Sequence, residues 1–453
     1  MELEESGYGE RALKLLRRYG ASIYDRVRVR CRNGLVLEGV LLPRPGVGNV
    51  NALVIKLDNG YNVGVDAGNV VGLEVMEKHM PAPLVELRMP PISAKLPKVY
   101  FVGTGGTIAS RVDYKTGAVY PFFTAEEIYS MIPELEDVAL IKAETLFNIF
   151  SEDMTPKRWE MIARKVVEVF EREEPKGVVI AHGTDTMGYS AAALAFALRD
   201  LPGPVVFVGA QRSSDRPSTD AVLNVMAAVT TCIKAPFGES VVVMHGSISD
   251  DYCLVHRGVR VRKCHTSRRD AFRSINDLPL AIIKTPGEFK LLNKRFIPRS
   301  SDGLRFVGGF DDKVALVKFY PGMGKDIVDF LVDKGYHGIV IEGTGLGHVA
   351  KPLVPAVKRA VEEGVAVVIA SQCLWGRVNM NVYRRGVELL QAGAIPAEDM
   401  IPETAYVKLC WVLARTRDLK EVRRLMLTNV ANELYSRTEH RTYPPVLPPG
   451  VGG

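Results

Sequence analysis

Residues 98–110 read KVYFVGTGGTIAS, an apolar run (VYFV, 99–102) that stops at a cluster of glycines and threonines. The same texture returns at 178–186, where VVIA (178–181) ends in HGTDT (182–186). A short unbroken apolar run reads as a strand buried on both faces, and a Gly-rich stop reads as the loop at its end. PVVFVGA (204–210) and VVVM (241–244) are runs of the same kind. Helical patterns lie between them. The clearest extends from Pro156 to Phe170, with Thr155 as N-cap, Pro156 in the first turn, and Trp159, Ile162, Val166 and Val169 on one face. Strands alternating with helices predict a mostly parallel sheet covered on both faces. After a polar stretch near 294–312, the runs VALVKF (314–319), GIVIEGTG (338–345) and VAVVIAS (365–371) predict a second, shorter α/β unit, followed by helical sequence from about 384 to 425.

Upstream of residue 98 the texture differs. A short amphipathic stretch (11–19) precedes DRVRVRCR, in which Val27, Val29 and Cys31 alternate with charges at the period of a half-buried strand. LVLEGVLL, ALVIKLD, YNVGVD and VGLEVM supply four more strands, and Asn33-Gly34 and Asn59-Gly60 predict type I′ hairpin turns with positive φ at both residues. A five-stranded antiparallel barrel fits this pattern, and it carries no catalytic constellation. The expected organisation is a β-barrel docking module over 1–77, a Pro-rich linker over 78–97, α/β domains over 98–293 and 313–440, and a Pro/Gly-rich tail over 441–453.

Composition sets the outer bounds. With 453 residues, 47% hydrophobic and 24% charged, the chain has material for several cores. No apolar run approaches the ~18–20 residues needed to span a membrane, and the acidic start MELEESGYGERALKLL lacks a signal-peptide core. A cytoplasmic location is the expectation. Six scattered cysteines without a CxxC pair argue against a disulfide framework and a zinc ribbon. Cys253, His256, Cys264 and His265 cluster in sequence but not at the spacing of paired zinc ligands, so no metal is expected. A net charge of +6 admits an anionic partner such as tRNA without requiring one.

In open parallel sheets ligands bind beyond the C-terminal ends of the strands, and the strand-end loops carry the polar chemistry here. GTGGTIAS (103–110) offers close backbone approach and the hydroxyls of Thr104, Thr107 and Ser110. It is neither GxxxxGK[ST] nor GxGxxG, and it lacks a phosphate-binding lysine. HGTDT sets a hydroxyl beside a carboxylate in Thr184 and Asp185, although alone it reads equally well as a helix N-cap. RVRKCHTSRR (260–269) contains Lys263, which alone would be a solvated surface lysine. Together the three make a different case. A threonine hydroxyl is a poor nucleophile until a neighbour takes its proton, and a Thr-Asp-Lys set can relay that proton. No GxSxG elbow is present and no Cys–His pair stands out, which leaves threonine chemistry.

TGGTIA followed about 80 residues later by HGTDTM, and then by a lysine segment, resembles the L-asparaginase/glutaminase family over roughly residues 97–435. The resemblance implies an α/β fold: an asparaginase-like body of two domains with mostly parallel sheets, preceded here by the small all-β barrel. It implies that Thr107 is the nucleophile and that Thr184, Asp185 and Lys263 form the activating set. Ser151 would bind the substrate α-carboxylate with Glu152 beside it, and Asp185 would also meet the α-ammonium group. The family's lid tyrosine corresponds to Tyr114 or Tyr120 of RVDYKTGAVYP. This chain departs from free-standing asparaginases in its barrel and linker, in Glu152, and in GTGLGH (343–348).

The barrel, SQCLWGRVNMNVY (371–383) and EDMIPETAYVKL (398–409) together resemble the D-subunit family of archaeal glutamyl-tRNA(Gln) amidotransferases. That likeness implies hydrolysis of glutamine or asparagine to supply ammonia to a partner, the amidotransferase E subunit, which converts Glu-tRNA(Gln) to Gln-tRNA(Gln). It also implies a homodimer within a heterotetramer, with no cofactor in this chain and ATP and Mg2+ on the partner. The rival expectation is a free-standing L-asparaginase with an appended barrel.

Overall fold

The structure is a computed structural model that describes every residue except 1–2, 4–5, 45–47, 59–60, 80–88, 107–109, 113–118, 122–123, 213–217, 285–286 and 445–453; for 110–112 and 119–121 it describes the backbone alone. The N-terminal strands form one antiparallel sheet in the order Asn62–Asp66, Ala52–Leu57, Val36–Leu42, Arg26–Cys31, Val70–Glu77. Val27, Val29 and Cys31 are buried as the alternation predicts. On the other face Arg28 lies between Glu38 and Glu74 of the two flanking strands. Among the described residues no ladder joins the first strand of this order to the last, so the barrel is not closed by hydrogen bonds. The 3-10 turn Ala67–Asn69 links those edge strands directly, and the helix Glu10–Arg18 packs against it, burying Ala12 and Leu16.

The turn at Asn33-Gly34 departs from the type I′ expectation. Gly34 has φ +85° while Asn33 keeps a negative φ. The Gly34 N–H donates to the Cys31 carbonyl (3.0 Å), the Cys31 N–H donates to the Leu35 carbonyl (2.8 Å), and Asn33 Oδ1 accepts from the Leu35 N–H (3.1 Å). This is a type I turn followed by a left-handed glycine; the side-chain bond of Asn33 holds it out of the positive-φ region. Asn59-Gly60 lies outside the described residues.

The body begins with an eight-stranded sheet. Leu140–Thr145, Lys98–Gly103, Val178–Ala181, Val205–Val208 and Ser240–His245 are parallel, and Tyr252–Arg257, Ala281–Lys284 and Glu288–Leu291 continue the sheet antiparallel. Every residue of the interior strands Val178–Ala181, Val205–Val208 and Ser240–His245 is buried, because helices cover both faces. Thr155 caps the helix Pro156–Glu173 by accepting from the Arg158 N–H (3.4 Å). The helix extends one turn past the apolar periodicity, which ends at Phe170. That last turn is polar, and Lys142 holds its Glu173 at 2.6 Å.

A second parallel sheet comprises Val314–Lys318, Gly338–Gly343, Ala366–Ser371 and Ile395–Pro396. The helical region expected over 384–425 is three helices, Arg384–Gln391, Pro402–Leu413 and Leu419–Met426. Gly393, at φ +94°, ends the first, and Pro402 starts the second. Helix Pro402–Leu413 packs on Met187–Ala197 of the first α/β unit, with Phe196 and Trp411 facing each other at 5.8 Å. No helix among the described residues is long and apolar enough to cross a membrane.

Buried charges hold this second unit together. Lys408 and Glu433, both with 0% side-chain exposure, pair at 2.5 Å, and Lys408 Nζ also donates to the carbonyls of Met426 (2.9 Å) and Thr428 (2.7 Å). Arg260 of the first unit reaches Asp399 of the second at 2.9 Å. Removing one member of such a pair strands the other charge without water. Lys408→Ala is therefore expected to lower unfolding free energy by about 3–5 kcal/mol, whereas Lys408→Met with Glu433→Leu, which buries no lone charge but still unpairs the backbone groups the pair satisfied, is expected to cost less. Urea denaturation of both variants measures the difference.

Candidate active site

The site is assembled beyond the C-terminal edge of the parallel strands. Strand Lys98–Gly103 leads into residues 104–106, Leu140–Thr145 into 146–151, and Val178–Ala181 into 182–186. Neighbouring parallel strands end side by side, so these loops start in contact. Thr104 is tied to Ala181 by both its N–H (3.0 Å) and its Oγ1 (2.8 Å), and the Ile149 N–H donates to the Thr104 carbonyl (3.3 Å).

Glycine is required where these backbones meet. Gly105 and Gly106 have φ +108° and +93°. A Cβ on Gly106 would lie 2.5 Å from the Gly183 nitrogen, and one on Gly105 would lie 2.1 Å from the Ile149 carbonyl oxygen. A Cβ on Gly183 would come 2.8 Å from the Ser151 Cβ. No side chain fits at these contacts, so Gly106 lies directly against the HGTDT backbone.

Thr184, Asp185 and Lys263, expected to act as a set, lie together. Lys263 Nζ donates to Thr184 Oγ1 at 2.9 Å and to Asp185 Oδ1 at 2.9 Å. Lys263 ends the short strand Val261–Lys263, which pairs antiparallel with Phe272–Ser274. Its side chain is 13% exposed, against 68% for that of Asp185, so the lysine lies inside and the carboxylate faces open space. Arg262, one residue back along the strand, points elsewhere and pairs with Glu403 at 3.2 Å.

Ser151 is buried in the 3-10 turn Ser151–Asp153, with the exposed Glu152 next to it. Thr186 Oγ1 donates to the Ser151 carbonyl at 2.5 Å, joining the Ser151 turn to the HGTDT loop. The HGTDT segment does supply a helix N-cap, at its last residue. The N-cap of helix Met187–Ala197 is Thr186, and its side chain makes no capping bond.

The structure thus brings Thr184, Asp185 and Lys263 into direct contact and places Ser151 one residue contact away. Thr107 and Tyr114 lie outside the described residues. Tyr120 lies in the strand Val119–Pro121, which pairs with Ser110–Val112 and is described by its backbone alone. GTGLGH forms a tight loop closed by a bridge between Thr344 and His348, with Gly345 and Gly347 at positive φ.

Among the described residues no group of three or more His, Cys, Asp or Glu is arranged to hold a metal ion. Cys253 and His256 point to separate partners, Asn224 and Ser274. Sequence reasoning missed Thr186 and the buried His182 behind the loop. Both sit inside the HGTDT motif, but nothing in their spacing shows what they touch.

The turn that follows Lys263 is fastened by charge. Asp270 accepts from Arg268 (2.8 Å) and Arg273 (2.8 Å), and Arg269 holds Asp250 at 2.9 Å. The Arg268 hydrogen bond, reinforced by Arg273, holds the Asp270 carboxyl down at about 2, below its ordinary 3.8. A carboxyl lowered on folding stabilises the fold above its unfolded value and loses that contribution as pH falls through the folded one. Stability is expected to drop between pH near 4 and pH near 2, with a shallower slope in Asp270→Asn. Thermal melts across that window, compared between the two proteins, measure it.

Residues 98–295 match the family described as Asparaginase, N-terminal, residues 313–426 the Glutaminase/Asparaginase C-terminal domain, and residues 21–76 the GatD N-terminal domain. The D subunit of the glutamyl-tRNA(Gln) amidotransferase from Thermofilum pendens is 58% identical over 445 residues, covering 97% of this chain and 98% of that protein. The protein of the same name from Thermococcus kodakarensis is 52% identical, covering 95% and 98%. Among solved structures, the thermostable L-asparaginase from Thermococcus kodakarensis aligns with a TM-score of 0.66 at 33% identity, over 75% of this chain and 100% of that one. L-asparaginase I from Vibrio cholerae gives 0.65 at 28% identity, over 75% and 99%.

Proposed function

This chain belongs to the D-subunit family of glutamyl-tRNA(Gln) amidotransferases, and from that membership we infer that it is the glutaminase component of such an enzyme, releasing ammonia from the side-chain amide of glutamine or asparagine. The observation that carries the chemistry is the Lys263 ammonium shared between Thr184 and Asp185. The near full-length likeness, barrel region included, supports the tRNA-dependent setting over a free-standing asparaginase.

In this mechanism Thr107 is the nucleophile. Its Oγ forms a bond to the amide carbon, the carbon–nitrogen bond breaks, and ammonia leaves with a proton. Water then attacks the acyl-threonine, freeing the carboxylic acid and restoring the hydroxyl. The Thr107 proton passes by way of the Thr184 hydroxyl to the leaving amide nitrogen, and the Lys263 ammonium, which donates to Thr184 and Asp185, holds that hydroxyl and that carboxylate in place for the transfer. Backbone N–H groups of the two glycine-threonine loops stabilise the oxyanion, a contribution of about 3–4 kcal/mol per well-placed donor. Asp185, open to solvent on one side, meets the substrate's α-ammonium group, and Ser151 meets its α-carboxylate. Tyr114 or Tyr120 closes the pocket.

The ammonia passes to a second subunit, of the E type, which activates Glu-tRNA(Gln) and completes the amidation. ATP and Mg2+ serve that partner. The working assembly is a cytoplasmic heterotetramer built on a dimer of this chain.

Thr107→Val and Lys263→Leu are each expected to cut ammonia release by more than about a thousandfold without unfolding the protein, since cooperating catalytic groups fail together. A near-normal rate for Thr107→Val would move the nucleophile elsewhere. Ammonia release by the purified chain is also expected to rise when the E subunit and Glu-tRNA(Gln) are added. Release that is fast alone and indifferent to both additions would support a free-standing asparaginase instead.

A further inference from the structure

Behind the HGTDT loop lies a buried chain of three side chains with no part in the mechanism above. Trp159, on helix Pro156–Glu173, places its indole Nε1 at 3.0 Å from Ser190 Oγ. Ser190, on helix Met187–Ala197, lies 2.9 Å from His182 Nε2. His182 Nδ1 lies 2.6 Å from the carbonyl oxygen of Gly183. All three residues are buried.

The direction of every bond follows from the valence of the groups. An indole N–H only donates, so Ser190 Oγ accepts from Trp159. The serine proton is then free to be donated to His182 Nε2, which accepts. With Nε2 accepting, the imidazole proton sits on Nδ1 and is donated to the Gly183 carbonyl. The chain runs one way, from Trp159 to Gly183, and it needs a neutral ring with its proton on Nδ1. Burial favours that state, pushing the imidazolium down to about 4.

The acceptor at the end of the chain is one half of the Gly183–Thr184 peptide. Fixing the Gly183 carbonyl fixes the plane of that peptide, hence the direction of the Thr184 N–H and the place from which the Thr184 side chain starts. On its other side Gly183 is pressed against Gly106 and Ser151. At the far end Trp159 packs edge-on against Phe310 of the connecting stretch at 5.6 Å and against Tyr406 of the second α/β unit at 6.4 Å.

We propose that Trp159, Ser190 and His182 form a one-way hydrogen-bond chain that orients the Gly183–Thr184 peptide, so that Ser190 and His182 are positioning residues for amide hydrolysis. The proposal rests on the assignment of Thr184 to that reaction.

Ser190→Ala leaves the Trp159 N–H and His182 Nε2 unpaired and lets the imidazole change tautomer. The expected result, in the amidotransferase complex, is a fall in kcat of about 10- to 100-fold with KM changed by no more than about twofold, the size of loss that a small misplacement of a reacting group brings. Ser190→Thr restores the hydroxyl and is expected to recover most of the loss. Trp159→Phe removes only the first donor and is expected to cost less than Ser190→Ala. Independently of activity, nitrogen-15 spectra of histidine-labelled protein, with the His182 signals assigned by difference against His182→Gln, are expected to show the Nδ1–H tautomer in the native chain and a mixture in Ser190→Ala. A native Nε2–H tautomer, or a Ser190→Ala variant with unchanged kcat, overturns the proposal. If the native complex releases no ammonia from either amide, the reading of the site fails instead, and the tautomer measurement still decides whether the chain exists.

Discussion

At the heart of the site two backbones touch. Gly106 and Gly183 approach so closely that a methyl group on either would collide with main-chain or neighbouring side-chain atoms. This contact is possible only because the strands that carry the two loops are hydrogen-bonded neighbours, with Val102 opposite Ile180 and Gly103 opposite Ala181. A site built on bare backbone has no side chains of its own at the point of contact. Polar side chains reach this point only from neighbouring positions, and among the described residues Thr184, next to Gly183, meets a cation carried by the strand Val261–Lys263.

That cation is Lys263, and its worth lies in placement. An ion pair with a carboxylate as open as that of Asp185 is screened by water and adds little to stability. Lys263 itself is largely shielded, so its hydrogen bonds to Thr184 and Asp185 fix both side chains relative to one another. The salt-bridged turn from Arg268 to Arg273 keeps the strand that delivers it in register. Charge inside the second unit has a different role. Lys408 with Glu433 and Arg260 with Asp399 have no water to replace a lost partner, and the latter pair spans the two α/β units.

Much of this was legible in the residues. Apolar runs that stop at glycines located the parallel strands, and Thr155 declared the start of its helix. Both are local signals, set by burial and by backbone groups within a few positions. Errors arose where a local signal was ambiguous or weak. Asn33-Gly34 fits two turn types, and the hydrogen bond of the Asn33 side chain selects the one with a single left-handed residue. The final turn of Pro156–Glu173 has no apolar residue to report it. The Trp159–Ser190–His182 chain was invisible for a deeper reason. Each member sits on an ordinary buried face, and only three-dimensional packing shows that their polar atoms meet.

The bond between Lys263 and Thr184 joins residues 79 positions apart. Between them the chain must lay down two parallel strands and their covering helices, reverse direction into the antiparallel edge, and return. The entropy of closing so long a loop is repaid only once the intervening sheet is in place. The contact between Thr184 and Lys263 is therefore complete only when that topology is, and a chain that has not formed the sheet holds the two residues apart.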